Sequence, residues 1–382
     1  MTVTPSEIRP PHAPALDGLR GVAILIVLLS HASNNGFNFA PWLNFGGIGR
    51  YGVFLFFVLS AYLLTRQCLR ATNRELVTGR FWGRYLLRRL LRIYPLYSVA
   101  LLAYWFESRR GLSPYPETGR SVLQALALRN VDYVFWTIPV EFGYYLLLPI
   151  AVAIAVVLKR RVWPTAAVFL VAGGAAGMVW PPRYESAVWP FLPIFLCGSF
   201  AAVLGQSSGK TRRKFAVPAG WIALLFPILL TPHLFNFLTR SRVPFDRFHL
   251  WFLPFGVAWT LVLLGVVHGP GRLRSIFEGN VVRFWGRISF SAYLIHLLVM
   301  KRLSVEAPGL PPALGTAVFF TVVGVASWIS YRLVERPAMR LWSTGAAPAN
   351  IRQPQPLPIG LPSDPVMSGP TFPPPSTPRS QT

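Results

Sequence analysis

Four side chains able to carry charge or protons sit in apolar runs that should hold none: Arg20, His31, Glu141 and His296. Ionisable groups inside such runs are costly and mark functional sites by default. An imidazole titrates near neutral pH and can take a proton from a hydroxyl. A guanidinium fork matches phosphate oxygens bidentately. Arg20 and His31 are eleven residues apart, about 1,100° of helical rotation, so they share one helix face some 16 Å apart. Glu141 follows Pro139 and precedes seventeen residues without a charge. His296 ends the stretch Ser289-Phe290-Ser291-Ala292-Tyr293-Leu294-Ile295-His296. His31, Glu141 and His296 are expected at similar depth on three different spans. Each also has a plainer reading. Arg20 fits a snorkelling anchor, Glu141 a carboxylate at the positive end of a helix dipole, and either histidine an interhelical hydrogen-bonder. Arg84, Arg88, Arg89 and Arg92 recur at helical spacing, which suits a lipid-headgroup stripe or a phosphate clamp. Ser60 and Ala61 are small enough for close helix packing.

The elements that position these groups follow from composition. The 382 residues are 53% hydrophobic and only 13% charged, against roughly 25% charged in soluble domains. A disordered basic protein, a coiled coil and a disulfide scaffold are excluded. Runs of roughly 20 apolar residues predict an all-α polytopic membrane protein with about ten transmembrane helices. They lie near Leu19–Ala32, Gly47–Thr65, Ile93–Phe106, Ile138–Leu158, Val162–Trp180, Ala187–Leu204, Phe215–Leu234, Leu250–His268, Trp285–Met300 and Ala313–Val334. No cleavable signal peptide is expected ahead of them.

The net charge of +24 first suggests nucleic acid. Sorted by loop it becomes a topology signal. Arg66 to Arg92 alone holds eight arginines, and alternate loops with the two ends collect about 26 of the 37 basic residues. The positive-inside rule therefore places both termini in the cytoplasm, and no nucleic-acid partner is expected. Residues 1–15 read as a disordered arm, 16–342 as the transmembrane domain and 343–382 as a disordered Pro-rich tail. The longest external loop, Glu107 to Phe135, is expected to fold over a site as a short lid. Cys68 and Cys197 lack metal or redox spacing, and no metal site or bound cofactor is expected.

Several blocks together resemble a known family. Leu16-Asp17-Gly18-Leu19-Arg20-Gly21-Val22-Ala23 followed by His31 resembles the signature of the acyltransferase-3 family, integral-membrane O-acyltransferases of bacteria and some animals. Phe56-Phe57-Val58-Leu59-Ser60-Ala61-Tyr62 is similar to its FFxLSGY pattern, and Arg89-Leu90-Leu91-Arg92-Ile93-Tyr94-Pro95 to its RxxRIYP pattern. Trp136 to Glu141, Ser289 to His296 and Val334-Glu335-Arg336-Pro337 resemble three further blocks in family order. Two positions depart from the pattern: Ala61 replaces a glycine, and Phe54 stands where many members carry an acid. No appended esterase-like domain is expected in the chain.

The resemblance implies transfer of an acyl group, commonly acetyl, from cytoplasmic acyl-CoA to a hydroxyl of a sugar, exopolysaccharide or glycolipid. It implies a multi-pass protein of the inner (plasma) membrane with the bilayer, acyl-CoA and a carbohydrate or glycolipid acceptor as partners. Arg20, Arg89 and Arg92, with Ser60 beside them, are then expected to hold acyl-CoA. His31 is the expected base, Glu141 its orienting group, and Tyr293 or His296 the oxyanion donor. An acyl-histidine intermediate is a variant of the same scheme. Two rivals stay open here: a transporter or flippase whose His and Glu relay protons, and a membrane scaffold built around the Pro-rich tail.

Overall fold

The computed structural model describes residues 14–40, 42–180, 186–206, 210–241, 252–269 and 271–345. Every regular element among them is helical, as a chain must be if apolar solvent leaves each backbone N–H and C=O to be satisfied within its own segment. The expected N-terminal arm and C-terminal tail lie outside the described residues except at their inner ends. Pro14 and Ala15 already belong to the first turn of α1 (Pro14–Asn34), where proline costs no hydrogen bond. Residues 343–345 complete α16 (Arg336–Gly345).

Among the described residues, six helices are long and apolar enough to cross a membrane, or up to nine if each bent pair is one span. The expected all-α polytopic membrane fold is borne out, with up to nine of the about ten expected spans found among the described residues. The expected third span is the distal half of α4 (Gly79–Ser108), a helix of 30 residues and about 45 Å that is not among the nine. The expected ninth span is broken. α13 (Asn280–Arg287) meets α14 (Ser289–Glu306) at 79°, so the span proper begins at Ser289.

α1 is held where backbones approach closely. A Cβ on Gly21 would overlap the Val282 carbonyl of α13, and one on Gly286 would overlap the Asp17 carbonyl of α1. Small residues permit such contacts where lipid offers no hydrophobic drive to bring helices together. α2 (Gly49–Cys68) packs on the other side of α1 and carries the aromatic centre of the core. Phe57 stacks on Phe195 of α8 (Leu192–Gln206) with centroids 4.6 Å apart. Thr65 of α2, Ser199 of α8 and Tyr144 of α6 (Thr137–Val157) are joined by buried hydroxyl hydrogen bonds. Polar ties of this kind hold helices together when water is absent.

The two departures from the family pattern are absorbed by this core. Phe54 is fully buried and meets Phe252 and Phe255 of α11 (Phe252–His268) at 5.2 and 5.5 Å, a site that accepts a ring and would penalise a charge. Ala61 is fully buried against Gly198 of α8, whose missing side chain leaves room for the extra methyl. Elsewhere the apolar surface faces outward. α7 (Val162–Val179) exposes Trp163, Val171 and Met178, as expected of a lipid-facing helix in a multi-pass membrane protein.

The loop expected to act as a lid is tied down among the described residues. The Tyr94 hydroxyl of α4 donates to the Leu126 carbonyl at 3.0 Å and the Tyr97 hydroxyl to the Ala125 carbonyl at 2.8 Å. Both carbonyls belong to α5 (Gly119–Leu126). Glu107 accepts from Arg302 of α14 at 2.7 Å.

Candidate active site

α1 is unbroken from Pro14 to Asn34, so the helical spacing of Arg20 and His31 is realised in one rod. The two residues open into different cavities. Arg20 lines a chamber of about 110 Å³ together with Ser60 of α2, Arg89 and Arg92 of α4, Glu141 and Tyr145 of α6, and Ser289 and Tyr293 of α14. His31 lines a chamber of about 870 Å³ with Asn34, Arg50, Asn130, Asp132, Tyr133 and Trp136. Val53 and Tyr293 line both. They form the partition between an arginine chamber and a histidine chamber.

The arginine chamber concentrates charge. Arg20 lies within electrostatic reach of Arg92, Glu335 and Glu141, and Arg89 within reach of Arg92 and Glu141. Three guanidinium groups and one carboxylate, Glu141, thus line the chamber itself, a lining suited to an anion, with Glu335 and Asp17 also acting on Arg20. The Tyr145 hydroxyl donates to Glu141 Oε2 at 2.6 Å. Ser291 donates to Glu335 at 3.1 Å. Among the described residues the buried Arg89 Nε and Ser289 Oγ have no hydrogen-bond partner. Ser289 also begins α14, whose N-terminal N–H groups and dipole favour an anion. Of the four arginines spaced along α4, only Arg89 and Arg92 enter the chamber, while Arg84 and Arg88 are exposed. The stripe thus divides between two faces of α4, one lining the chamber and one exposed. Arg20 is half-buried and faces an interior cavity, which does not fit the snorkelling reading.

At the other end of the same helix face, the His31 and His296 rings lie 5.0 Å apart. His296 is fully buried, and its Nδ1 is 2.7 Å from the Tyr293 carbonyl. A carbonyl only accepts, so Nδ1 carries the hydrogen and the neutral ring keeps its lone pair on Nε2. Among the described residues that Nε2 has no hydrogen-bond partner.

These positions correct one expectation. His31 and His296 come together, but Glu141 does not join them. It belongs to the arginine chamber, bonded to Tyr145, so the group beside His31 is the His296 ring and not a carboxylate. Tyr293 stands between the two chambers, and Ser60 lines the arginine chamber. Two buried groups were missed as site residues: Glu335 and its partner Ser291. Glu335 closes a short π-helix, Tyr331–Glu335, a wide-turn geometry frequent at functional sites. Tyr145 was missed as well, although its position four residues after Glu141 places both on one helix face.

The similarity to known proteins is consistent with this arrangement. The chain is 23% identical over 381 residues to the peptidoglycan O-acetyltransferase OatA of Listeria monocytogenes, covering 85% of this chain and 56% of that protein. It is 22% identical over 367 residues to YrhL of Bacillus subtilis, for which peptidoglycan O-acetylation is a proposed activity, covering 85% and 55%. The chain therefore spans about half the length of these curated relatives. No solved structure matches it significantly. The profile of a family described as an acyltransferase domain matches residues 14–332. Since that match covers more than four fifths of the 382 residues, the chain belongs to this membrane acyltransferase family.

Proposed function

We propose that the chain O-acetylates a carbohydrate, taking the acyl group from acyl-CoA in the arginine chamber and passing it to a sugar hydroxyl in the histidine chamber. The observation that carries this reading is the pair of chambers, unequal in size and chemistry, that meet at Tyr293. The arginine chamber, at about 110 Å³, is smaller than the roughly 150 Å³ cavity that holds one benzene ring. It suits the slender cysteamine end of CoA's pantetheine arm and excludes a sugar ring. The histidine chamber, at about 870 Å³, falls in the usual range of roughly 300–1,000 Å³ for ligand pockets.

In this scheme Arg20, Arg89 and Arg92 hold the donor's phosphates by charge-assisted hydrogen bonds, with Ser60 and the start of α14 beside them. Glu141 and Glu335 keep the three cations from repelling one another. The thioester carbonyl reaches the partition at Tyr293. His31 removes the proton from the acceptor hydroxyl as its oxygen attacks that carbonyl. The C–O bond forms, the Tyr293 hydroxyl donates to the developing oxyanion, and the C–S bond breaks. The proton on His31 passes to the departing thiolate, leaving an ester and free CoA. His296, its tautomer set by the Tyr293 carbonyl, packs its ring against that of His31 and positions it.

The positive-inside loops favour a cytoplasmic arginine chamber, both termini in the cytoplasm and residence in the inner membrane. The activities for which the relatives are named favour a peptidoglycan-like glycan as acceptor, and family membership favours a transferase over a transporter. Membrane vesicles given labelled acetyl-CoA and a glycan acceptor test the reading. The wild-type chain should transfer label, and His31→Ala at equal protein level should not. Transfer at the wild-type rate by His31→Ala would contradict it.

A further inference from the structure

The loop that walls the histidine chamber gathers three of the six left-handed non-glycine residues among those described, the others being Lys159, Arg160 and Arg240. Leu128, Asn130 and Tyr133 adopt left-handed conformations, with φ of 56°, 49° and 59°. Asparagine tolerates this region, but leucine and tyrosine are disfavoured there because Cβ crowds the following carbonyl. Three such residues within six positions persist only if the surroundings over-determine them. They do so here. The Tyr115 hydroxyl donates to the Asn130 carbonyl at 2.9 Å, and Asp132 Oδ1 accepts from the Tyr133 N–H at 2.6 Å. The tyrosine bonds from α4 to Ala125 and Leu126 fix the turn just before it.

The chemistry in the scheme above needs only His31, His296 and Tyr293, so the strained wall has another use. It turns Asn130 and Asp132 toward the same cavity that Asn34 reaches from the end of α1, and all three side chains are exposed. Each amide offers a donor and an acceptor side by side, and the carboxylate offers two acceptors. That is the complement of neighbouring hydroxyls on a sugar ring, each of which donates and accepts. Tyr133 adds an aromatic surface to the same wall.

We propose that residues 128–133, with Asn34, form a saccharide-recognition subsite that reads the hydroxyls next to the one being acylated. This rests on the transferase reading for its purpose but not for its binding, so the two can be tested separately. The purified full chain, reconstituted in nanodiscs without acyl donor, is titrated with chitotetraose and with maltotetraose, following tryptophan fluorescence. At least one tetrasaccharide should bind saturably. Asn130→Gly keeps the left-handed turn and removes the amide. Asp132→Asn keeps the Oδ1 acceptor for Tyr133 and removes the charge. Either variant should raise Kd about tenfold, the order expected for one lost hydrogen bond, with an unchanged melting temperature. Binding of neither sugar to the wild type, or unaltered affinity in a folded variant, overturns the subsite. Sugar binding without any acyl-CoA consumption in vesicles would leave the subsite standing and remove the transferase reading. Consumption without sugar binding would do the reverse.

Discussion

The two chambers differ in how they are built as much as in what lines them. The arginine chamber is made of helices: α1, α2, α4, α6 and α14 each contribute from within a helical segment. The histidine chamber takes His31 and Tyr293 from helices, but Asn130, Val131 and Asp132 from a loop. Helical walls hold side chains rigidly, whereas loops tolerate change and commonly carry specificity. The difference suits a chemically constant donor on one side and an acceptor of particular shape on the other. The strained, tyrosine-tied loop is the compromise, a variable type of element made stiff.

Breaking the comparison at its centre should give the largest effect. His31→Ala is expected to lower kcat by about 10²–10⁴-fold, the range for loss of a positioned base, with protein level checked by immunoblot. Tyr293→Phe, at the partition, should cost about 10²-fold in kcat, as for one oxyanion donor, with the KM for either substrate little changed. Arg92→Ala sharpens the contrast between chambers. It should raise the KM for acetyl-CoA about tenfold or more, the loss of one charge-assisted hydrogen bond, and leave the acceptor KM alone. Arg84→Ala is the smallest case. It sits on the exposed face of α4 and should change either KM less than about twofold, as surface charges contribute little.

Parts of this arrangement were legible in the residues themselves. Arg20 and His31 share a face because the helical period is fixed, and α1 has no break to disturb it. The paired arginines Arg89 and Arg92 stood out for the same reason. Which chamber Glu141 joins was not legible, because its depth was judged from where the apolar run begins. A 3-10 turn, Tyr133–Trp136, precedes α6 and sets where the helix starts. Glu335 escaped notice because the expected last span stopped at Val334, and the π-helical turn there shifts the face periodicity. The break at Ile288 lies between residues with no proline, and Gly286 next to it serves contact with α1. The approach of His31 to His296 depends on the packing of α1 against α14, which no local pattern encodes.

The central claim is that donor and acceptor occupy different chambers, and a crossed kinetic measurement tests it most directly. In vesicles, KM is determined for acetyl-CoA and for a glycan acceptor in the wild type, Arg92→Ala and Asn130→Gly. The account predicts that Arg92→Ala raises only the KM for acetyl-CoA, and Asn130→Gly only that for the acceptor. If both variants raise both constants equally, or if the two effects are exchanged, the division of labour between the chambers is wrong.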